Sequence, residues 1–357
     1  MKLVMTLLAR DEEDILDAQL AFHLNGGVDF VIATDNRSQD GTTTILERHA
    51  REGHLHLIRN DERGYDQSAW VTRMARLAAT EFDADWVINS DADEFWWPRG
   101  GNLKEVLEAT PARYGIVRVP IRHFFLRLGG DHFAERMLYR PLLTAPVNEP
   151  GNPLRPNTHV LHRADPGATV NAGNHALKGS RHVPLPGWYP VECLHFPLRS
   201  IEQAERKYLN WVDSLAGREY RDAFDAHEKG ELDAFVRDKV LADDVLERGV
   251  ADGSLLRDTR LRDALRELAG REPLGAEQAF EASGVHSFPR ATVLEDVIYA
   301  AETAVLAEAD AVRLQRRLDE LEPRIARLER RKLRFRLGAA VGRSHGLVRR
   351  GHDRQRR

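Results

Sequence analysis

The first 126 residues alternate short apolar runs with helix-like segments, and that alternation leaves very few folds open to the chain. The runs are residues 2–10 (KLVMTLLAR), 28–36 (VDFVIATDN), 54–60 (HLHLIRN), 86–95 (WVINSDADEF) and 114–126 (YGIVRVPIRHFFL). Their apolar residues are continuous rather than alternating, which marks strands covered on both faces. Between them, residues 11–25 stop at Gly26 and Gly27, residues 38–51 stop at Gly53, and residues 65–82 and 103–109 complete the helical set. Glycine behind a helix accepts the left-handed conformation that closes it. The pattern predicts βαβ units in a mostly parallel, Rossmann-like α/β sheet with flanking helices.

In such a sheet the ligand lies beyond the carboxyl ends of the strands. The strand-end residues are Ala9-Arg10-Asp11-Glu12, Thr34-Asp35-Asn36-Arg37-Ser38, Arg59-Asn60-Asp61 and Asn89-Ser90-Asp91-Ala92-Asp93, all polar or acidic apart from two alanines. Neither a G-x-G-x-x-G turn nor a G-x-x-x-x-G-K-[ST] loop occurs, so a dinucleotide-binding dehydrogenase and a P-loop enzyme are both disfavoured. A metal held on carboxylates is another way to handle phosphate. The segment VINSDADEFWW, residues 87–97, places Asp91, Asp93 and Glu94 at the end of an apolar strand. Carboxylates two residues apart there suit Mg²⁺ or Mn²⁺, hard ions that share oxygen coordination with substrate phosphates. A second Asp-Ala-Asp, residues 83–85, sits between a helix and a strand and reads as turn chemistry.

Beyond residue 140 the texture changes. Residues 141–197 are rich in Pro, Gly, Asn and His and read as a long functional loop region with short strands; residues 201–280 turn helical and charged. Positions 297, 300, 304, 307, 311, 314, 318, 321, 325 and 328 are apolar at 3,4 spacing, a candidate coiled-coil seam and route to a homo-oligomer, with Pro323 expected to kink or end its helix. The expected organisation is a sheet-bearing domain over 1–200, with halves 1–126 and 127–200, then a helical region 201–292, a coiled-coil-like helix 293–330 and a basic tail 331–357.

Charge is divided unevenly. Residues 324–357 hold 13 Lys and Arg against 2 acids, although the whole chain carries a net −4. Such a tail suits an anionic surface, phospholipid head groups or nucleic acid, with no specific nucleic-acid partner expected. No apolar run approaches the roughly 20 residues of a membrane-spanning helix. The start, MKLVMTLLARDEED, lacks a signal-peptide cleavage site, so the expected location is cytoplasmic, with peripheral contact at the inner face of a membrane through the basic tail. The lone Cys193 excludes an intrachain disulfide and reads as a small buried hydrophobe.

Three ordered strand-end segments, MTLLARDEEDIL (5–16), TDNRSQDGT (34–42) and VINSDADEF (87–95), resemble the family 2 glycosyltransferases of GT-A fold. The likeness is to the branch with a D-N-x-S-x-D-G-T second-strand motif, and GNHALKGS and LHFPLRSIEQAERK (194–207) extend it. The resemblance implies a nucleotide-diphosphate sugar donor, a glycan or lipid-linked acceptor, Mn²⁺ or Mg²⁺ as cofactor, and inversion at the anomeric centre. It also implies site residues: Ala9, Arg10, Glu12, Asp35, Asn36 and Asp91 around the donor; Asp91, Asp93 and His195 around the metal; Asn174 and His175 on the acceptor side. Trp96 and Trp97 are read either as an acceptor platform or as packing beneath the sheet edge. The acceptor hydroxyl needs a base, for which Glu192 is the first candidate and Asp131 and Glu149 the others. The Q-x-x-R-W motif of processive synthases is absent, so single additions are expected. A nucleotidyltransferase of similar α/β fold and a coiled-coil scaffold with a degenerate transferase domain are the competing readings.

Overall fold

A computed structural model describes residues 1–352 except 62–65, 131, 147–148, 150–151, 153, 213–217 and 270–289. The predicted alternation is present. It runs β1 (Leu3–Ala9), α1 (Leu16–Asn25), β2 (Phe30–Asp35), α2 (Thr42–Arg51), β3 (Leu55–Arg59), α3 (Gln67–Thr80), β4 (Trp86–Asp91), β5 (Glu94–Pro98), α4 (Leu103–Glu108) and β6 (Tyr114–His123). Next come α5 (Phe133–Arg136), β7 (Tyr139–Pro141), β8 (Thr158–Arg163), β9 (Thr169–Val170), β10 (Leu177–Lys178), β11 (Val183–Pro184) and β12 (Val191–His195). The rest is α6 (Ile201–Val212), α7 (Arg218–Glu228), α8 (Leu232–Arg237), α9 (Asp243–Asp252), β13 (Leu255–Arg257), α10 (Arg260–Leu268) and α11 (Arg290–His352).

The main sheet has the order β3-β2-β1-β4-β8-β6-β12-β5, with β11 beside β6. Pairings β1·β2, β2·β3, β1·β4 and β6·β12 are parallel; β8 is antiparallel to both β4 and β6, and β5 is antiparallel to β12. The sheet is therefore mixed, yet β1, β2, β3, β4, β6 and β12 point the same way, as does the short β11. The carboxyl ends of the six longer strands, at Ala9, Asp35, Arg59, Asp91, His123 and His195, share one edge. Because the backbone of each inner strand is paired on both sides, burying these apolar runs leaves few polar groups unsatisfied. Leu3, Met5 and Leu7 face one core with Trp86, Ile88 and Trp96, and Val4 and Leu8 face the other with Met74 and Val87.

Residues 1–299 form one compact unit and residues 300–357 a second. In the second, α11 continues through Pro323 rather than ending there. Proline forfeits one backbone hydrogen bond and crowds one carbonyl, while the flanking runs of Leu, Glu and Arg are strong helix formers and carry the helix on. The expected seam is helical, but Leu314, Leu318, Leu321 and Ile325 are solvent-exposed, and no second helix covers them among the described residues. A coiled coil is thus not established by the single chain. None of the described helices is long and apolar enough to cross a membrane.

Candidate active site

The shared strand edge opens into a cavity of about 340 Å³ lined by Ala9, Arg10, Glu12, Asn36, Gln67, Asp91, Ala92, Asp93, Glu94, His123, Asn157, His159, Gly173, His175, His195, Lys207 and Asn210 among others. Every strand delivers its residue from an end. β1, β2, β4, β6 and β12 contribute residues at or just past their carboxyl ends, while antiparallel β8 contributes His159 from its beginning.

Donor atoms of Asp93, Glu94 and His195 lie within 4.8 Å of one another, a set able to hold a divalent ion. His195 Nε2 is 3.3 Å from Asp93 Oδ2, and Lys207 Nζ from α6 is 2.5 Å from the same oxygen. Burial alone would raise the Asp93 pKa, but the Lys207 ammonium and the His195 imidazole outweigh it and hold the carboxyl well below its ordinary range. Asp91 and Glu94 behave oppositely. Burial, then the charges of Glu94 and Asp93, pushes Asp91 up to about 7; burial, with repulsion from Asp93 opposing attraction to His195, pushes Glu94 up to about 7. Of the two, Glu94 belongs to the converging set, and a buried carboxyl crowded by like charge is what a cation site looks like before its ion is counted. The donor set, two carboxylates and an imidazole, fits Mn²⁺ or Mg²⁺ with room for substrate oxygens.

Asp91 stands apart from the converging trio. Both its oxygens accept from Gln67 Nε2 at 3.1 Å, and Gln67 Oε1 accepts from the Gly173 amide at 2.7 Å, which fixes the loop wall carrying Gly173 and His175. His159 Nε2 lies 2.6 Å from Glu94 Oε1 and its ring stacks on His175 at 5.2 Å. His123 and His195 share a hydrogen bond between Nδ1 atoms at 2.8 Å. On the opposite wall Arg199, fully buried, donates to Asp14 at 2.8 Å, to the Phe196 carbonyl and to Glu12, tying the loop after β12 to the loop after β1. Asn210, one turn beyond Lys207, donates to Asp11 at 2.7 Å.

Of the residues expected from sequence, Ala9, Arg10, Glu12, Asn36, Asp91, Asp93, His175 and His195 line this cavity. The Asn36 side chain is buried and both its amide atoms lack partners. Asp35 instead accepts from Ser38 N and Thr43 Oγ1 and borders a smaller hollow with Arg37, Arg59 and Asp61. Asn174 is fully buried behind the cavity wall with a positive φ of 57°. Asp131 lies outside the described residues, and Glu149 is exposed and away from the cavity.

Two expectations are corrected. Trp96 and Trp97 are 0% and 2% exposed within β5, so they pack beneath the sheet edge and offer no face to an acceptor. Glu192 cannot reach a substrate. It is fully buried, paired with Arg99 at 3.3 Å, Arg122 at 3.0 Å and Arg260, and although burial works against ionisation these three guanidiniums hold its carboxyl far below the ordinary range. Residues three apart on a strand point to opposite faces, so His195 at the cavity sends Glu192 the other way. Sequence reasoning placed Glu94 among the strand-end acids without naming it a ligand, and gave no role to His123, His159, Lys207 and Asn210. His123 would have emerged from ending its strand at 123, and Lys207 and Asn210 from their i, i+3 spacing on an amphipathic helix.

The sheet order and its flanking helices make a mixed α/β fold of GT-A type, with the acid-bearing end of β4 at its strand-end edge. Residues 12–176 match the sequence model of glycosyl transferase family 2. Solved structures it resembles include S. aureus TarS 1-349, at 12% identity over 62% of this chain and 69% of that one with a TM-score of 0.34. The same protein in complex with UDP-GlcNAc gives 12% identity over 75% and 80% with a TM-score of 0.32. Glucosyl-3-phosphoglycerate synthase from Mycobacterium tuberculosis, in complex with Mn²⁺, UDP and glucosyl-3-phosphoglycerate, gives 18% identity over 35% and 44% with a TM-score of 0.23. No curated protein matches the sequence.

Proposed function

We propose that this chain moves a glycosyl group from a nucleoside diphosphate sugar to an acceptor hydroxyl with the help of a divalent ion. The observation that carries the reading is the convergence of Asp91, Asp93, Glu94, His195 and Lys207 in one cavity at the strand-end edge of a chain whose residues 12–176 match the family 2 model. In the reaction the bond from the anomeric carbon to the diphosphate breaks, a bond from that carbon to the acceptor oxygen forms, and the acceptor proton passes to a base. Asp93, Glu94 and His195 would hold the ion, which when bound supplies Lewis acidity to the departing diphosphate. Lys207 adds a second positive charge where negative charge accumulates; burial disfavours its ammonium, but Asp93 and Glu12 outweigh that and raise its pKa. Asn36, with an unpaired amide, together with Ala9 and Arg10, is placed for the nucleoside. Asp91, whose oxygens meet an amide rather than a cation, is the cavity carboxylate left to receive the proton once Glu192 is removed from that role. Inversion and single additions rest on the family resemblance, as does a glycan or lipid-linked acceptor approached through the basic tail. The domain match favours this reading over a nucleotidyltransferase or an inactive scaffold.

The test is thermal stabilisation by UDP, GDP, CDP and dTDP, each with and without Mn²⁺, on the wild type and Asp93→Ala. One nucleotide is expected to stabilise the wild type only with metal present and to lose that effect in the variant. Absence of any shift in the wild type would overturn the proposal.

A further inference from the structure

At the amino-terminal edge of the same sheet, opposite the cavity, the end of α2 gathers a second group of metal-ligating side chains. Donor atoms of His49, Glu52 and His54 all lie within 4.8 Å of one another. The gathering is built by the helix cap. Gly53 takes a φ of +85°, its amide bonds to the Ala50 carbonyl at 3.2 Å, and the His54 amide bonds back to the His49 carbonyl at 3.0 Å. This left-handed closure turns the chain so that residues 49, 52 and 54 face one point.

We propose that His49, Glu52 and His54 form a binding site for a zinc-class divalent ion, separate from the active-site ion. Glu52 Oε2 is 3.7 Å from His49 Nδ1 and 3.7 Å from His54 Nδ1. That spacing is too long for a hydrogen bond, but it is close to the separation of roughly 3.3 Å between ligands that sit about 2.0–2.1 Å from a tetrahedral zinc. Both Nδ1 atoms are buried and without hydrogen-bond partners, although His49 is only 6% exposed, a place where a polar nitrogen ordinarily finds one. The far side of His49 is already prepared: Nε2 lies 3.4 Å from Asp17 Oδ1 on α1, within hydrogen-bond reach. A carboxylate accepting the Nε2 proton fixes the tautomer that leaves Nδ1 free as a ligand, the usual support behind a metal-bound imidazole. Arg48 also contacts Asp17, which keeps that carboxylate ionised and oriented; its guanidinium, 3.3 Å from Nε2 and a donor only, must give its protons to Asp17 rather than to the ring for Nδ1 to stay a free ligand. Two imidazoles and one carboxylate select zinc and its neighbours over magnesium, and the carboxyl-terminal end of α2 favours a positive charge. Glu52 and His54 remain 44% and 32% exposed, so the ion has a path from solvent and water can complete its shell. The site would staple α1, α2 and the start of β3 together.

Zn²⁺ titration calorimetry on the EDTA-stripped full chain, with Co²⁺ substitution read by visible absorption, tests the proposal in the wild type, His54→Ala, Asp17→Asn and Asp93→Ala. His54 is the more exposed of the two histidines, so its removal spares the core, and circular dichroism checks that. The wild type and Asp93→Ala should both hold one Zn²⁺ that gives the intense bands of tetrahedral cobalt. His54→Ala should bind that equivalent at least tenfold more weakly and lose the bands; Asp17→Asn should weaken it about tenfold through His49. A wild type without tight Zn²⁺, or a folded His54→Ala with unchanged stoichiometry, affinity and spectrum, would overturn it. The nucleotide shift of His54→Ala reports the active site independently, so the two proposals can fail separately.

Discussion

His23 shows how one residue's surroundings set a property of the whole domain. Its Nδ1 bonds the Gln19 carbonyl at 2.8 Å and its Nε2 accepts the Trp96 amide at 3.0 Å, so the fold holds the neutral ring with Nδ1 protonated. Burial lowers its pKa to about 4 from 6.5. Between those values the unfolded chain binds a proton that the folded one refuses. Stability from His23 is therefore complete above about pH 6.5 and lost as pH falls toward 4, by about 3 kcal/mol at most. Urea denaturation at pH 7.5, 5.5 and 4.5 should show that slope, and His23→Gln should flatten it; an equal slope in both proteins would remove His23 as its source. His162 and His159, also buried and lowered to about 4, and His123, lowered to about 3, act in the same direction and share the remainder. At this scale the sequence showed Asp91, Asp93 and His195 because each sits at a recognisable strand end. It could not show that Asp93 and Glu94, rather than Asp91 and Asp93, converge with His195, since side-chain direction at the end of β4 is decided by what packs above it.

Between elements, charge does the joining on the face away from the cavity. Glu192 of β12 meets Arg99 after β5, Arg122 of β6 and Arg260 of α10. Arg122 continues to Asp296, and Arg140 of β7 to Asp258 and Glu295, so the first turns of α11 are held to the sheet by the same network. A buried ion pair is weak evidence for stability, but removing one partner leaves the others charged and unpaired. Glu192→Ala should cost about 3–5 kcal/mol in chemical denaturation, while molecules still folded at low temperature keep their kcat. A variant of full stability with abolished turnover would instead restore Glu192 as the base. None of these partners is near another in sequence, the Arg260–Asp258 pair excepted, which is why composition alone gave no hint of the network. The elements themselves were legible: β1, β2, β3 and α4 fall within two residues of their expected bounds, because continuous apolar runs and terminal glycines are local signals. Helices α1 and α2 begin five and four residues later than expected, and residues 86–95 split into β4 and β5 at a turn through Ala92 that sends the aromatic run antiparallel along β12.

On the scale of the molecule, α11 leaves an apolar stripe without cover. Leu314, Leu318, Leu321 and Ile325 are 43–59% exposed. In a heptad register with residues 318 and 325 at a and 314 and 321 at d, Arg317 and Glu322 take g and e, the pair that attracts across a parallel dimer. Light scattering on the full chain should report two copies, and Leu318→Glu with Leu321→Glu should report one; a wild type that stays monomeric at tens of micromolar would leave the stripe to another partner. The sequence by itself determined the βαβ order, the acidic strand ends, the buried Cys193 and the heptad stripe, because each is written in residues close along the chain. Only the tertiary structure decided which of those acids share a cavity, that Lys207 from α6 faces Asp93 more than a hundred residues away, and that Glu192 turns from the substrate toward three arginines. The physical reason is that strand order and the two-residue alternation of strand faces set direction and distance together, and neither can be read until the strands are placed side by side.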